Sequence, residues 1–458
     1  MSPAGVPLSA MFDPHAMSLD QALGMALAQN PRMREAAARI QEAVAGADMA
    51  YSPFLPELNA GMRHSDYTRP VLPGGSFVPD SLRGGATQFD IIEVGALWML
   101  CDFGRTSGGY GQAVSRERIA EMTRRRVAQA VAYETSHAYF QLLYAQSMVL
   151  VREQSLLRAQ AVLDDTLAFR EGGVAVREDV LRAEVEVSQS REDVVAARQK
   201  LLDARAALNL ALGRSAAWPV TAIELSTEAA EAPPLEFSLA LAAEERPEIA
   251  ALRGAVAEAA YGVEAARGGL LPRVFVRGTV VGARSNGPID GVIGGVGLHL
   301  EQPLYAGGRH RAAVRQDQAR VAAATARMQG VLDGISHQVA VAHNAIATNR
   351  QRIELARVAV IQSTENLRLT DVLYQNGDAR PTDMVDAETA LVEAQTRYFT
   401  AVFDYLDGLA ALDFATGGDQ RGVVAATRTM PAAEPVSPLV TPPFEAPPAE
   451  PSSRREDG

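Results

Sequence analysis

The fold is decided by residues 377–415, which read GDARPTDMVDAETALVEAQTRYFTAVFDYLDGLAALDFA. From Met384 onwards every seventh residue is large, and a small residue follows three positions later. The large residues are Met384, Leu391, Tyr398, Tyr405 and Leu412, and the small ones are Ala387, Ala394, Ala401, Gly408 and Ala415. Five heptads of this kind predict a coiled-coil seam along which helices approach each other closely.

The same seam occurs a second time, 204 residues earlier. Its large positions are Val180, Val187, Val194, Leu201 and Leu208, and its small ones are Ala183, Ser190, Ala197, Ala204 and Ala211. The same offset relates Gly377 to Gly173 and Arg309 to Arg105. Two seams in register with matching glycines indicate an internal duplication, and the repeated unit sets the architecture of the chain.

Composition narrows the class of protein. The chain has 458 residues and a net charge of −12, which disfavours nucleic acid as a partner because a polyanion would be repelled. Its single cysteine, Cys101, excludes an intrachain disulfide and a cysteine-based metal site. The sequence contains no run of about 18 apolar residues, so no transmembrane helix is predicted. No secretory signal is visible in residues 1–17.

Chain breaks and periodicity divide the sequence into two repeats with flanking segments. The predicted segments are a poorly ordered lead at 1–17, a first repeat at 18–213, a linker at 214–235, a second repeat at 236–417 and a disordered Pro/Ala/Glu-rich tail at 426–458. The first repeat is expected to hold helices at 18–50, a β-hairpin at 54–103 and coiled helices at 105–213. The second is expected to hold helices at 236–269, a β-hairpin at 272–305 and coiled helices at 309–417.

The predicted hairpins alternate between apolar and mixed residues. Ile92, Val94 and Trp98 share one side of a strand, whereas Glu93 and Gly95 share the other. Four strands cannot close a barrel, and an open sheet edge cannot lie in lipid. Either the hairpins cover a soluble helical core, or several chains pool their strands. Three copies would supply twelve strands, a number in the usual range for transmembrane barrels.

The predicted long helices favour the second alternative. Residues 105–169 contain no proline, and about 65 helical residues span roughly 100 Å. The second repeat has a matching helix at about 309–374. Helices of this length are not expected in a globular domain, whereas a hollow cylinder of packed helices requires them.

Short motifs recur in the same order in both halves of the chain. They include Ser18-Leu19-Asp20-Gln21-Ala22-Leu23, Gln29-Asn30-Pro31, Cys101-Asp102-Phe103-Gly104-Arg105, Arg246-Pro247-Glu248-Ile249, Gln302-Pro303-Leu304-Tyr305-Ala306-Gly307-Gly308-Arg309 and Gly377 to Glu388. Through them residues 18–417 resemble the TolC-type outer membrane efflux proteins.

This resemblance implies a mainly helical chain with a small membrane β part, built from duplicated hairpin–long helix–turn–helix units. It implies a homotrimer whose twelve-stranded barrel lies in outer membrane lipid and continues as a periplasmic α-helical barrel. Such a channel is a passive exit duct for an inner membrane pump, joined through a periplasmic adaptor, in efflux or type I secretion. It needs no catalytic residue, cofactor or metal. Export requires a signal sequence. We expect that it lies upstream of Met1, that it has been removed, or that the start of the protein is wrongly assigned.

A different class of protein remains open on the residues alone. A soluble periplasmic or cytoplasmic coiled-coil scaffold or adaptor would also carry heptad seams, and it would need no signal sequence. The alternating hairpins and the duplicated order of elements disfavour it.

The resemblance also suggests a gate at the turns Gly172-Gly173 and Gly377. Asp383 and Asp386 match positions that in this family form carboxylate rings at the periplasmic constriction. Three copies would place six carboxylates in a narrow throat, where they would attract cations. The alternative is that acidic residues in a first helical turn only complement the helix dipole.

A breakable latch is expected beside these turns. Tyr374 matches a tyrosine that in the family helps to hold the gate shut, and its expected partners are Glu178 and Asp179. Arg177 and Arg380 are expected to complete the latch. The alternative is that these are solvated charges near a turn, which contribute little.

Overall fold

The computed structural model describes residues 15–71, 86–173, 175–223, 233–286 and 290–428. The helices are α1 (Leu19–Gln29), α2 (Pro31–Tyr51), α3 (Arg105–Glu171), α4 (Arg177–Ala211), α5 (Leu235–Glu245), α6 (Pro247–Gly268), α7 (Arg309–Gln375), α8 (Pro381–Thr416) and α9 (Arg421–Arg428). The strands are β1 (Ala16–Met17), β2 (Glu57–Val71), β3 (Ala86–Cys101), β4 (Thr221–Ala222), β5 (Arg273–Ser285) and β6 (Gly291–Glu301).

The chain forms two compact units. The helical unit comprises the described residues of Met1–Arg34, Arg126–Arg246 and Asp333–Gly458. The sheet unit comprises the described residues of Glu35–Arg125 and Pro247–Leu332. No helix in the described ranges combines the length and apolar character needed to cross a bilayer.

The sheet unit contains one antiparallel sheet with the strand order β2-β3-β5-β6. Each predicted hairpin supplies two neighbouring strands, and β3 pairs with β5 to join the hairpins. β2 and β6 lie at the edges, so each pairs with one strand within the described chain. The predicted tip of the first hairpin falls largely on residues 72–85, outside the described residues.

The sheet has one apolar face. The pairing register places Val94 beside Val280 and Ala60. Apolar residues and glycines share this face along most of each strand, but towards the hairpin tips it carries His64, Asp90 and Arg284. The apolar face consists of Leu58, Ala60, Met62, Ile92, Val94, Ala96, Trp98, Val276, Gly278, Val280, Val292, Gly294, Val296, Leu298 and Leu300. Val296 is 83% exposed in the single chain and Val292 is 78% exposed. So large an uncovered apolar surface requires an apolar environment.

The opposite face of the sheet is mixed. It carries Glu57, Asn59, Arg63, Glu93, Arg277, Thr279 and His299 among apolar residues and glycines. The two faces therefore differ in the way expected of strands between lipid and a water-filled lumen.

The heptad seam forms the buried side of the helical unit. All ten seam residues of α8 are buried, and Leu391 and Ala394 have no exposed surface. In α4 seven of the ten are buried; Leu201, Ala204 and Ala211 are half-buried. Gly408 lets α8 approach α7, because a Cβ at this position would lie only 3.2 Å from Cγ1 of Ile346.

The two repeats end in the same way. Gly213 and Gly417 both adopt left-handed conformations, with φ of 75° and 91°. An added Cβ would lie 2.9 Å from Cα of Asn30 at Gly213 and 2.9 Å from the carbonyl carbon of Glu245 at Gly417. Each glycine therefore provides both the chain reversal and the close approach to the end of the preceding short helix.

Short elements lie in segments that were predicted to lack structure. Ala16–Met17, in the predicted lead, pairs in parallel with Thr221–Ala222, in the predicted linker. The Tyr139 hydroxyl donates to the carbonyl oxygens of Met17 and Ile223, at 3.0 and 2.7 Å, and so fixes both strands. Residues 1–14 and 224–232 lie outside the described residues.

Helix α9 corrects the predicted start of the tail. Disorder was predicted from residue 426, but α9 continues to Arg428. Val423 and Val424 are buried, and Asp413 accepts a hydrogen bond of 2.7 Å from the backbone of Gln420. This apolar anchor and cap stabilise a helix that composition alone did not indicate. The remainder of the predicted tail, 429–458, lies outside the described residues.

Candidate functional site

The candidate site lies in the helical unit, where α3 turns into α4 and α7 turns into α8. Gly173 and Gly377 have left-handed φ values of 78° and 81°. The N–H of Gly173 donates to the carbonyl oxygen of Arg170, and the N–H of Gly377 donates to that of Tyr374, both at 3.0 Å. Glycine adopts this conformation without strain, so the predicted turn glycines end both helices in equivalent ways. Gly172 is exposed beside Gly173.

Two repeat-related aspartates cap the outgoing helices. Asp179 accepts a hydrogen bond of 3.1 Å from the backbone N–H of Val176, and Asp383 accepts one of 2.8 Å from that of Arg380. Both carboxylates therefore satisfy a backbone donor at a helix start. Asp386 lies one turn further along α8, exposed like Asp383. Within the chain Asp383 thus acts as a cap, and the side chains of both Asp383 and Asp386 are exposed.

Tyr374 links the ends of α3 and α7 near the two turns. It is 2% exposed, and its hydroxyl lies 2.8 Å from Oγ1 of Thr166 on α3. Oγ1 of Thr166 also lies 2.6 Å from the carbonyl oxygen of Val162. A carbonyl oxygen can only accept, so the hydroxyl proton of Thr166 is donated to Val162. The Tyr374 hydroxyl must then donate to Thr166. The ring of Phe169 packs edge-to-face on Tyr374, with the ring centroids 5.3 Å apart.

This contact corrects the predicted partners of Tyr374. Glu178 forms an ion pair with Arg182 at 2.6 Å, and Asp179 is engaged in its cap. The polar partner of Tyr374 within the protomer is therefore Thr166. Burial raises the pKa of Tyr374, and the carboxylates of Asp165 and Asp179 add to the rise, against the hydrogen bond with Thr166. The hydroxyl consequently stays protonated and able to donate.

The two predicted latch arginines are exposed. Neither Arg177 nor Arg380 forms an ion pair with a residue in the described part of the chain. Among the described residues, the contacts of Tyr374 are with Thr166 and Phe169 and include neither arginine.

Sequence reasoning missed an acidic pair behind the turns. Burial raises the pKa of Asp165 on α3, and the carboxylates of Asp371 and Asp164 raise it further. Burial also raises the pKa of Asp371 on α7, against a hydrogen bond from Gln375. A usable signal existed, because acidic residues near a helix C-terminus oppose the dipole.

Among the described residues no group of three or more His, Cys, Asp or Glu side chains is arranged to hold a metal ion.

Comparison with known proteins identifies the family. A family model described as outer membrane efflux protein matches residues 22–214 and 239–418. The chain belongs to this family. The match covers both repeats and stops short of the lead, the linker and the tail. It confirms the resemblance on which the channel prediction rests.

Relatives of this efflux protein agree with the assignment. The outer membrane efflux protein BepC of Brucella suis is 26% identical over 344 residues, covering 72% of this chain and 73% of BepC. The alkaline protease secretion protein AprF of Pseudomonas aeruginosa is 26% identical over 429 residues, covering 88% of this chain and 85% of AprF.

A solved channel shows the same fold. The CmeC outer membrane channel of Campylobacter jejuni superposes with a TM-score of 0.78 at 14% identity, covering 96% of this chain and 93% of CmeC. The efflux protein therefore has the mainly helical TolC-type fold. It is an outer membrane efflux channel that extends into the periplasm. The family consists of channels rather than enzymes, and nothing supports the soluble scaffold that the residues alone left open.

Proposed function

We propose that three copies of this efflux protein pool their strands into a twelve-stranded barrel, which continues as a periplasmic helical barrel. The observation that carries the proposal is the four-stranded sheet with an exposed apolar face and edge strands β2 and β6. An open edge would leave backbone donors and acceptors unpaired in lipid. Pairing β2 of one copy with β6 of the next satisfies every edge at once.

Disulfide scanning of the edge strands tests the trimer. In a Cys101→Ser background, Ala60→Cys on β2 is combined in turn with Val292→Cys, Gly294→Cys, Val296→Cys or Leu298→Cys on β6. Within one chain β3 and β5 separate the two edges, a gap of about 14 Å that no disulfide can bridge. We expect at least one pair to yield dimers and trimers after oxidation in membranes. The pair Ala60→Cys with Val280→Cys is the control, and no cross-link from any edge pair contradicts the proposal.

The duct would serve as the outer component of a tripartite efflux or type I secretion system. In this arrangement a periplasmic adaptor joins the trimer to an inner membrane pump, and the protein exports passively what the pump delivers. The names of relatives support both kinds of system, since BepC is described as an efflux protein and AprF as a protease secretion protein.

The turns at Gly172-Gly173 and Gly377 would form the periplasmic gate. Tyr374 and Thr166 would hold it shut within each protomer. Glu178, Asp179, Arg177 and Arg380 are available for contacts between neighbouring protomers, because three of them lie exposed around the turns.

The exposed Asp383 and Asp386 would line the constriction in three copies. The double variant Asp383→Asn/Asp386→Asn should lose most of the preference for cations over anions in planar bilayers, because the ring of fixed charge disappears. Asparagine at 383 can still accept the capping hydrogen bond, so the helix start survives. Glu171→Gln/Asp378→Asn removes the same charge from exposed positions around the turns and should change selectivity less. Unaltered selectivity in the first variant would exclude the ring.

A further inference from the structure

The sheet end that joins the helices carries an exposed basic cluster. All four strands meet their helices at this end, and α7 begins there with Arg309-His310-Arg311, followed by Arg315. The three arginines are exposed, and none forms an ion pair with a residue in the described ranges. An added Cβ at Gly269 would lie 3.2 Å from Nδ1 of His310 and 3.8 Å from Nη2 of Arg105, so polar side chains at the starts of α3 and α7 approach the same glycine.

Arg309 and Arg311 lie in the first turn of α7, where the helix dipole disfavours positive charge. The N-terminal end of a helix carries partial positive charge, which favours acidic residues in the first turn. The first turn of α7 has no acidic residue, whereas the start of α3 is capped by Asp102, which accepts a hydrogen bond of 2.8 Å from the backbone N–H of Thr106. By contrast, α4 and α8 begin with Glu178-Asp179 and Asp383. Arg311 and Arg315 are also four residues apart, a spacing at which like charges repel. An external anion would offset this cost.

An exposed apolar segment lies directly beside the arginines. Leu304 is 93% exposed and Tyr305 is 89% exposed. They follow Leu300, which ends the apolar face on β6. The lipid-facing surface of the sheet is therefore followed within a few residues by an aromatic side chain and then by cations. This order matches the boundary between hydrocarbon and phosphate headgroups in a bilayer.

We propose that Leu304, Tyr305, Arg309, Arg311 and Arg315 form a binding surface for an anionic phospholipid in the periplasmic leaflet of the outer membrane. The helices at this end extend into the periplasm, so the surface lies at that leaflet. The guanidinium groups bind the headgroup phosphate, and the two apolar side chains contact the acyl chains. The anionic lipid thereby neutralises the start of α7 and fixes the depth of the barrel in the membrane.

Lipid titration of the full-length protein tests this surface. Phosphatidylglycerol and phosphatidylethanolamine are titrated separately onto the detergent-purified protein, and bound lipid is counted by native mass spectrometry. The variant Arg309→Gln/Arg311→Gln/Arg315→Gln should bind phosphatidylglycerol roughly tenfold or more weakly, since each surface arginine contributes to anionic lipid attraction. Binding of phosphatidylethanolamine should change little. The variant with lysine at the same three positions should retain most of the binding.

A matched control removes the same charge elsewhere in the sheet unit. Arg118, Arg124 and Arg125 are exposed on α3, away from the sheet end, and their replacement by glutamine should leave phosphatidylglycerol binding unchanged. Equal binding by the wild type and the Arg309/Arg311/Arg315 glutamine variant overturns the proposal, as does an equal loss in the control. If the glutamine variant dissociates the assembly to the same extent with either lipid, the arginines contact a second copy of the chain, and the lipid assignment is wrong.

Discussion

Arginine at both Val94 and Val280 should prevent the efflux protein from accumulating in the outer membrane. The two residues are direct neighbours on the central strands, and each is 50% exposed on the apolar face. An arginine on the lipid side costs about 2 to 4 kcal/mol near the middle of the bilayer. Two per chain, placed side by side, add their mutual repulsion. We expect more than a tenfold loss of protein from the outer membrane fraction, measured by density gradient and immunoblot.

The opposite face of the same strand supplies the control. Thr279 and Val281 lie on the mixed face of β5, and Val281 is paired with Glu93. Arginines at these positions would face the lumen, where water and the Glu93 carboxylate can accommodate them. Thr279→Arg/Val281→Arg should therefore reach the membrane at nearly the wild-type level. Equal loss in both double variants would show that the apolar face does not contact lipid.

Repeating patterns made the main elements predictable from the sequence. The seam from Met384 to Leu412 is buried in α8 because an apolar pattern kept over five heptads defines one continuous face that packs against neighbouring helices. The apolar face was equally readable, since alternation over a strand as long as β3 fixes which side chains share a side. The pairing of β3 with β5 was not readable, because alternation does not specify which strands become neighbours.

Isolated contacts left no signal of this kind. Thr166 follows Val162 by four residues and bonds its carbonyl oxygen, as many helical threonines do, so nothing marked it as the partner of Tyr374. Strands of two residues, such as Ala16–Met17, are too short for periodicity. The resemblance to the family predicted a latch role for Tyr374, which lies in the last turn of α7. Its partner depended on how α3 and α7 meet, which is a tertiary property.

Loss of the contact between Tyr374 and Thr166 should open the channel. Thr166→Val removes the acceptor of the buried Tyr374 hydroxyl. In Tyr374→Phe, by contrast, Thr166 keeps its hydrogen bond to the carbonyl oxygen of Val162. An unsatisfied buried donor costs more than the removal of both partners. Thr166→Val should therefore raise open probability the most, and a shift of about 1 kcal/mol corresponds to about fivefold per protomer. Single-channel recording measures this order among Thr166→Val, Tyr374→Phe and the double variant.

Thr370→Val is the matched control for the threonine substitution. Thr370 lies near the same end of α7 and bonds the carbonyl oxygen of Asn366 at 2.9 Å, as Thr166 bonds that of Val162. Its replacement removes an equivalent bond within the helix but no hydrogen bond to α3 among the described residues. Wild-type gating in Thr166→Val, or equal opening in Thr370→Val, would contradict the latch.

The acidic pair behind the latch gives the same gate a pH dependence of defined sign. Burial and the nearby carboxylates of Asp371 and Asp164 raise the pKa of Asp165, and burial raises the pKa of Asp371 against a hydrogen bond from Gln375. A raised pKa means that the closed packing of α3 and α7 is favoured while these carboxyl groups are protonated, which holds fully below their ordinary value of about 3.8. The closed packing is weakened as the pH rises through the raised pKa values. Channel opening should therefore increase with pH across this window. Asp165→Asn/Asp371→Asn should abolish the increase and keep the gate closed, and an unchanged pH profile in that variant would separate the pair from gating.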